Sequence, residues 1–157
     1  MTPAISDLDK AGIKYELLHY DHDPSTQSYG DEAANKLGLD TQSVFKTLLS
    51  ELSTGEVVVC LIPVSASLNL KALAKAAGVK RASMADSKVA ERKTGYVLGG
   101  ISPFGQNHQH RTFVEEYALS MSSIYVSAGR RGLEIRVAPD TFSVLLDASF
   151  VTLINHD

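Results

Sequence analysis

Residues 44–49 read Val-Phe-Lys-Thr-Leu-Leu, a run that predicts a buried β-strand with one lysine in its middle. Side chains alternate between the two faces of a strand, so Lys46 shares a face with Val44 and Leu48. The Lys46 ammonium group therefore points toward apolar neighbours. Two interpretations are open at this point: the side chain reaches water at a sheet edge, or it meets an anionic ligand.

A second informative segment, residues 96–105, reads Tyr-Val-Leu-Gly-Gly-Ile-Ser-Pro-Phe-Gly. It predicts a short apolar strand that runs into Gly99 and Gly100 and then into a proline turn. Because glycine has no Cβ atom, successive N–H groups there can turn toward one point and bind an oxyanion or a phosphate. A β-bulge followed by a tight turn is the purely structural alternative.

The remaining segments alternate strand and helix signals without a regular βαβ rhythm. This pattern predicts an α/β fold with a mixed, largely antiparallel sheet. Turn residues, helix caps and apolar periodicity place the elements as follows. Strands are expected at 15–20, 44–49, 57–64, 123–127, 133–137 and 150–154, and helices at 28–38, 69–78, 86–95 and 140–146.

The composition predicts one compact domain over residues 1–157. The chain is 44% hydrophobic and 21% charged. At this length, that hydrophobic fraction is enough to form a core that needs no stabilising disulfide or structural metal. Cys60 is the single cysteine and lies in an apolar run, so we expect a buried small hydrophobe and not a nucleophile. Without an apolar run of membrane-spanning length or a signal-peptide pattern, a cytoplasmic protein is expected.

Charge is unevenly distributed along the chain. The net charge is −3, yet residues 71–93 hold seven basic side chains against two acidic ones. On the helix at 69–78, Lys71 and Lys75 lie one turn apart on the outward face, and Arg81 follows shortly after. These three residues are candidate contacts to a nucleic-acid phosphate backbone. A solvated lysine face explains the same pattern.

Two histidine clusters do not support a metal site. His19 and His22 precede a proline turn, and His108 and His110 lie in a polar segment. Neither pair has a third ligand at a recognised spacing. The sequence also lacks the Gly-x-Ser-x-Gly turn of serine hydrolases. We therefore predict no metal, no cofactor and no serine triad.

Several short motifs, taken in order, resemble the YbaK/ProX type of aminoacyl-tRNA editing domain in its free-standing form. The resemblance covers nearly the whole chain. It is carried by residues 1–4, 20–24, 30–32, 36–39, 46–49, 94–96, 99–103, 124–127 and 131–133. It implies that the predicted sheet wraps into a partly closed barrel with flanking helices. It also implies an enzyme that hydrolyses a wrong amino acid from tRNA, with Lys71, Lys75 and Arg81 as candidate contacts to the tRNA backbone.

The resemblance further implies roles for individual residues. Lys46 would lie beside the scissile ester or the terminal ribose, and the backbone of Gly99 and Gly100 would face the developing oxyanion. The family commonly has aspartate at the position of Glu134. The residues implied to line the pocket and orient the aminoacyl group are Tyr20, Tyr29, Ile101, Ser127 and Glu134.

The implied substrate is Cys-tRNA(Pro), with Cys-tRNA(Cys) as a second substrate, and the cysteinyl thiol itself attacks the ester. The expected partners are the acceptor end of tRNA-Pro and prolyl-tRNA synthetase, with no membrane and no DNA. A deacylase for alanyl- or seryl-tRNA on the same fold is one alternative. A noncatalytic module that binds tRNA or a synthetase is another.

Overall fold

The computed structural model describes residues 1–155, so the last two residues of the predicted domain, 156 and 157, lie outside the described part. Helices alternate irregularly with strands along this part of the chain. The helices are α1 (Pro3–Lys10), α2 (Tyr29–Leu37), α3 (Leu70–Ala77), α4 (Ser87–Thr94) and α5 (Asp140–Leu146). The strands are β1 (Glu16–His19), β2 (Phe45–Leu52), β3 (Val57–Pro63), β4 (Ala82–Met84), β5 (Thr112–Glu115), β6 (Ile124–Arg130), β7 (Leu133–Val137) and β8 (Ser149–Val151), with a 3₁₀ turn at Glu116–Ser120.

The strands form two sheets, whereas the sequence analysis expected one. The larger sheet has the order β4-β2-β3-β5-β8 and the smaller one the order β1-β7-β6. Pairing is antiparallel except between β3 and β5 and between β5 and β8, so the predicted mixed, largely antiparallel character is confirmed. A parallel bridge between Val44 and Tyr125 connects the two sheets. Closure of these strands into a partial barrel stays a prediction.

The alternation of side chains along β3 divides the interior into two apolar clusters. Val59 and Leu61 join a cluster that contains residues of both sheets and of α1 and α5. Cys60 and its neighbours on the other face pack against Leu73 and Ala77 of α3. The larger sheet is thus buried on both faces, which explains why β3 reads as a continuous apolar run.

Helix ends follow the sequence signals more closely than helix starts. Helices α2, α3 and α4 end as predicted at glycines in the left-handed conformation, with φ of 67°, 78° and 82°. Asn69 caps α3 by accepting a hydrogen bond from the Ala72 N–H. The predicted side-chain caps at Ser28 and Asp86 are wrong, because neither side chain accepts such a bond.

The predicted strand before the two glycines is also wrong. Residues 96–98 continue from α4 as irregular chain and enter a turn. The Tyr96 hydroxyl donates to the Phe104 carbonyl at 2.6 Å, which closes residues 96–105 into a folded loop. In the part of the chain that the structure covers, no helix is both long and apolar enough to cross a membrane.

Candidate active site

The site forms where β2 and β6 separate. These strands meet at the bridge between Val44 and Tyr125, with the Tyr125 N–H donating to the Ser43 carbonyl at 2.9 Å. Parallel strands present paired residues on the same face, so the residues two positions on, Lys46 and Ser127, project from one face of the joined sheets. Ser127 in turn is the register partner of Glu134 on β7. The topology therefore brings Lys46, Ser127 and Glu134 into one row.

A cavity of about 360 Å³ opens over this row, which is in the usual size range of small-molecule sites. Its walls are the beginning of α2, the first half of β2, the smaller sheet and the loop at 98–101. Seven of the predicted site residues line it: Tyr20, Tyr29, Lys46, Gly99, Ile101, Ser127 and Glu134. Gly100 and the three basic residues of the predicted tRNA contact are not among the lining residues.

Lys46 is half-buried, and its ammonium group forms no salt bridge within residues 1–155. Burial lowers its pKa, and the nearby Asp31 carboxylate opposes that shift. None of the salt bridges or side-chain hydrogen bonds found within residues 1–155 involves the Lys46 ammonium group. A partly desolvated cation without a partner favours an anionic or strongly polar ligand. This arrangement supports the second of the two interpretations of Lys46.

The two glycines differ in their surroundings. Gly99 has φ of 81° and is the third residue of a turn that the Gly100 N–H closes by donating to the Val97 carbonyl at 2.9 Å. Turns with a positive φ at this position favour glycine. Because the Gly100 N–H is already used and Gly100 lies outside the cavity wall, the predicted second oxyanion donor is wrong. A Cβ at Gly100 would instead lie 2.7 Å from the Arg130 Cα.

Glu134 is the most perturbed acid of the cavity. Only 6% of the residue is exposed, and burial raises the pKa of its carboxyl group to about 8. Burial also raises the pKa of Tyr20, and the carboxylates of Glu134 and Glu32 add to the shift. At neutral pH this raised pKa favours the protonated Glu134 carboxyl. A cationic ligand group would reverse this state by favouring the carboxylate.

Two hydroxyl groups complete the polar lining. The Ser127 Oγ accepts a hydrogen bond from the Gly129 N–H at 3.1 Å, which leaves its own hydrogen free to donate. The Thr47 Oγ1 is buried and has no hydrogen-bond partner in residues 1–155. No histidine of that range lines the cavity, so no imidazole is placed to activate either hydroxyl.

Comparison with known proteins decides the family. Residues 23–145 match the model of the aminoacyl-tRNA editing domain. The chain belongs to this family. A protein of Enterococcus faecalis named "Putative Cys-tRNA(Pro)/Cys-tRNA(Cys) deacylase EbsC" is 39% identical over 127 residues, which cover 81% of this chain and 77% of that protein. A Bacillus subtilis relative, "Uncharacterized protein YwhH", is 22% identical over 113 residues, covering 72% and 71% of the two chains.

Solved structures show that the fold is shared. "Crystal structure of hypothetical protein APE2540" superposes with a TM-score of 0.87 at 22% identity and covers 98% of this chain and 99% of that one. "Crystal structure of a putative trans-editing enzyme for prolyl tRNA synthetase" gives 0.82 at 20% identity and covers 98% and 96%. The fold of this editing domain is thus established independently of its site.

The loop that leads into the cavity is anchored by Glu32. Its carboxylate accepts from the Asp23 N–H and meets the His22 Nδ1, both at 2.7 Å, and Lys36 lies 3.3 Å away. Burial would raise the pKa of Glu32, but these three partners hold it below its usual range. His22 therefore fixes the loop after Tyr20 in this editing domain. The sequence motif alone did not indicate that pairing.

A contact at the rim was also missed by the sequence analysis. The Arg131 guanidinium lies 4.7 Å above the centre of the Tyr29 ring, and its Nε donates to the Leu98 carbonyl at 2.7 Å. The same ring packs on Gly99, where an added Cβ would lie 2.5 Å from the Tyr29 Cγ. Arg131 thereby ties the β6–β7 turn to α2 and to the glycine turn.

Outside the cavity, Cys60 is fully buried and its pKa is raised to about 12 by burial, as expected for a structural cysteine. Lys71 and Lys75 are exposed on α3, so the predicted outward face is confirmed. Arg81 lines a separate surface depression beside the β2–β3 turn. The role of these three residues in tRNA binding stays a prediction.

Proposed function

We propose that this editing domain hydrolyses the ester bond between cysteine and the terminal ribose of tRNA, with Cys-tRNA(Pro) as principal substrate and Cys-tRNA(Cys) as a second one. The observation that carries the proposal is the combination in one cavity of an unpaired cation and polar donors without an activated side-chain nucleophile. The Enterococcus faecalis relative at 39% identity is named a putative Cys-tRNA(Pro)/Cys-tRNA(Cys) deacylase, which agrees with this substrate.

The missing nucleophile is supplied by the substrate. The cysteinyl thiol loses its proton, and its sulfur attacks the ester carbonyl to form a carbon–sulfur bond. The carbon–oxygen bond to the ribose then breaks, the ribose oxygen takes up a proton, and a cyclic thioester leaves. Water opens this thioester in solution. An aminoacyl ester is activated enough that orientation and electrostatic stabilisation suffice for the rest.

Lys46 and Gly99 provide that stabilisation. The Lys46 ammonium lies beside the ester and the terminal ribose, where it offsets negative charge on the departing oxygen. The Gly99 N–H donates to the carbonyl oxygen as that atom becomes negative. The backbone of both residues is fixed in advance, because Lys46 lies on β2 paired with β3 and Gly99 lies in a closed turn.

The other lining residues orient the aminoacyl group. The Glu134 carboxyl and the Ser127 hydroxyl are register partners on adjacent strands and receive the α-ammonium group. Tyr20, Tyr29 and Ile101 close the cavity around the side chain of the substrate. The acceptor end of tRNA-Pro then lies at the mouth of the cavity. Prolyl-tRNA synthetase is the proposed partner that supplies the choice of tRNA, since the domain itself is small.

A panel of aminoacyl-tRNAs tests this proposal. Single-turnover deacylation is measured on Cys-, Ala-, Ser- and Pro-tRNA(Pro) and on Cys-tRNA(Cys), with Lys46→Met as the inactive control. Cys-tRNA should react far faster than Ser-tRNA, because a thiol is partly ionised near neutral pH and a hydroxyl is not. Comparable rates for the two would refute attack by the thiol, and faster release of alanine would assign a different substrate. Binding without turnover would identify a noncatalytic module.

A further inference from the structure

Arg131 is an exposed residue of the turn between β6 and β7 and lies at the rim of the cavity. It does not line the cavity, but it contacts Leu98 and Tyr29, which do. We propose that Arg131 binds the phosphodiester group that joins the terminal nucleotide of the tRNA acceptor end to the preceding nucleotide. This inference rests on the proposed function, because it extends the same site outward along the tRNA.

The Arg131 guanidinium is held before any ligand arrives. Its Nε is bonded to the Leu98 carbonyl at 2.7 Å and its plane lies over the Tyr29 ring at 4.7 Å. An exposed arginine normally loses side-chain freedom when it binds a ligand, and these two contacts reduce that loss. Within residues 1–155 the Nη groups donate to no protein acceptor. The two Nη groups, which form one edge of the guanidinium, are thus available to bind a ligand.

The charge of Arg131 is also available. Neither of its contacts is anionic, since one is a peptide carbonyl and the other an aromatic ring. None of the salt bridges in the described part of the chain includes Arg131. By contrast, Arg136 on β7 lies 3.9 Å from the Glu16 carboxylate. Arg131 is therefore the better placed of the two for an external anion.

The chemistry of the substrate identifies that anion. In the proposed complex the ester lies deep in the cavity beside Lys46, so the terminal ribose must point outward to the mouth. The next charged group along the nucleic acid is the 5′-phosphate of that nucleoside. A guanidinium fork matches two phosphate oxygens, and such charge-assisted pairs are stronger than neutral hydrogen bonds.

The experiment compares two analogues that differ by this phosphate. Both carry cysteine joined by an amide bond to 3′-amino-3′-deoxyadenosine, which the domain cannot hydrolyse, and one of them bears a 5′-phosphate. Binding is measured by calorimetry for the wild type, Arg131→Gln and the control Arg136→Gln. The phosphate should tighten binding to the wild type and to Arg136→Gln by about five- to tenfold. Arg131→Gln should lose this gain and bind the unphosphorylated analogue as the wild type does.

Two results would overturn the assignment. One is an equal loss of affinity for both analogues in a folded Arg131→Gln protein. That result would show that Arg131 only stabilises the packing of the β6–β7 turn and does not bind the phosphate. The other is no effect of the phosphate on the wild type. Thermal unfolding checks the fold, and Arg131→Met, which keeps the apolar contact to Tyr29, replaces the glutamine variant if that one fails to fold. Because the analogues need no turnover, absent deacylase activity would refute the proposed function without deciding the role of Arg131.

Discussion

Replacing Lys46 by methionine tests the centre of the site. Methionine keeps an unbranched apolar stem beside Leu48 and removes the charge. If the ammonium group stabilises the departing ribose oxygen in a partly desolvated cavity, its loss should cost about 2 to 4 kcal/mol of transition-state stabilisation. That free energy corresponds to about a 30- to 900-fold lower rate constant.

The same substitution should not weaken the fold. Burial lowers the pKa of Lys46 in the folded protein, which means that the folded state disfavours the charged form. Below this lowered pKa the charge therefore opposes folding, and stability should increase as pH rises through it. Removing the charge at neutral pH should leave the free energy of unfolding unchanged or slightly higher. Urea unfolding of Lys46→Met and of the exposed control Lys75→Met measures this directly.

The assay is single-turnover release of cysteine from Cys-tRNA(Pro) at saturating enzyme. Both variants lose one positive charge, so a general effect on tRNA attraction would slow them alike. Slow release by Lys46→Met alone, with an intact fold, is the expected result. A rate near that of the wild type in folded Lys46→Met would show that Lys46 merely reaches water, and the proposed mechanism would have to be abandoned.

Three further predictions follow from particular contacts. Gly99→Ala should reduce turnover more than tRNA binding, because the new methyl group would displace the facing tyrosine ring and strain a turn with positive φ; parallel losses of turnover and binding would contradict this. Glu134→Gln should remove a pH dependence of stability: a carboxyl whose folded pKa is raised to about 8 costs the wild type about 1.4 kcal/mol per pH unit between its unfolded pKa and pH 8. Between pH 5 and 8, the free energy of unfolding of Glu134→Gln, measured with urea, should therefore rise relative to that of the wild type. A constant difference between the two proteins would argue against a buried neutral acid. Reversing the charges of Lys71, Lys75 and Arg81 should lower the slope of log affinity against log salt by about 0.7 to 0.9 for each lost phosphate contact, without slowing release at saturating tRNA; an unchanged slope would make these residues a solvated face.

Much of the fold was predictable from local signals. The glycines at 38, 78 and 95 end their helices because only a left-handed residue closes the last turn without steric cost. The hairpin of β2 and β3 follows from two apolar runs around a Gly-containing turn. The division into two sheets was not predictable, because it depends on long-range pairing such as that of β3 with β5 across about fifty residues of chain. The short strands β4 and β5 carry no periodic signal of their own.

For the site, the sequence showed which residue types matter but not which atoms remain free. Lys46 stands out because a lysine in an apolar strand is uncommon. Gly100 looked equivalent to Gly99, but tertiary structure distinguishes them by the positive φ of Gly99 and by the hydrogen bond that the Gly100 N–H donates to Val97. The contacts of Glu32 and Arg131, and the absence of a hydrogen-bond partner for Thr47 in residues 1–155, result from tertiary folding. No local sequence pattern predicts them.

Within residues 1–155, the bridge between Val44 and Tyr125 joins the two sheets, and side chains from both sheets pack together in one apolar cluster. The cavity lies beside that bridge and is lined by residues of both sheets, so its width depends on the angle between them. Substitutions in the shared apolar cluster that alter this angle will change which aminoacyl side chains fit, even though they touch no substrate. Divergence of specificity among relatives can accordingly arise in the core, and a comparison restricted to lining residues would overlook it.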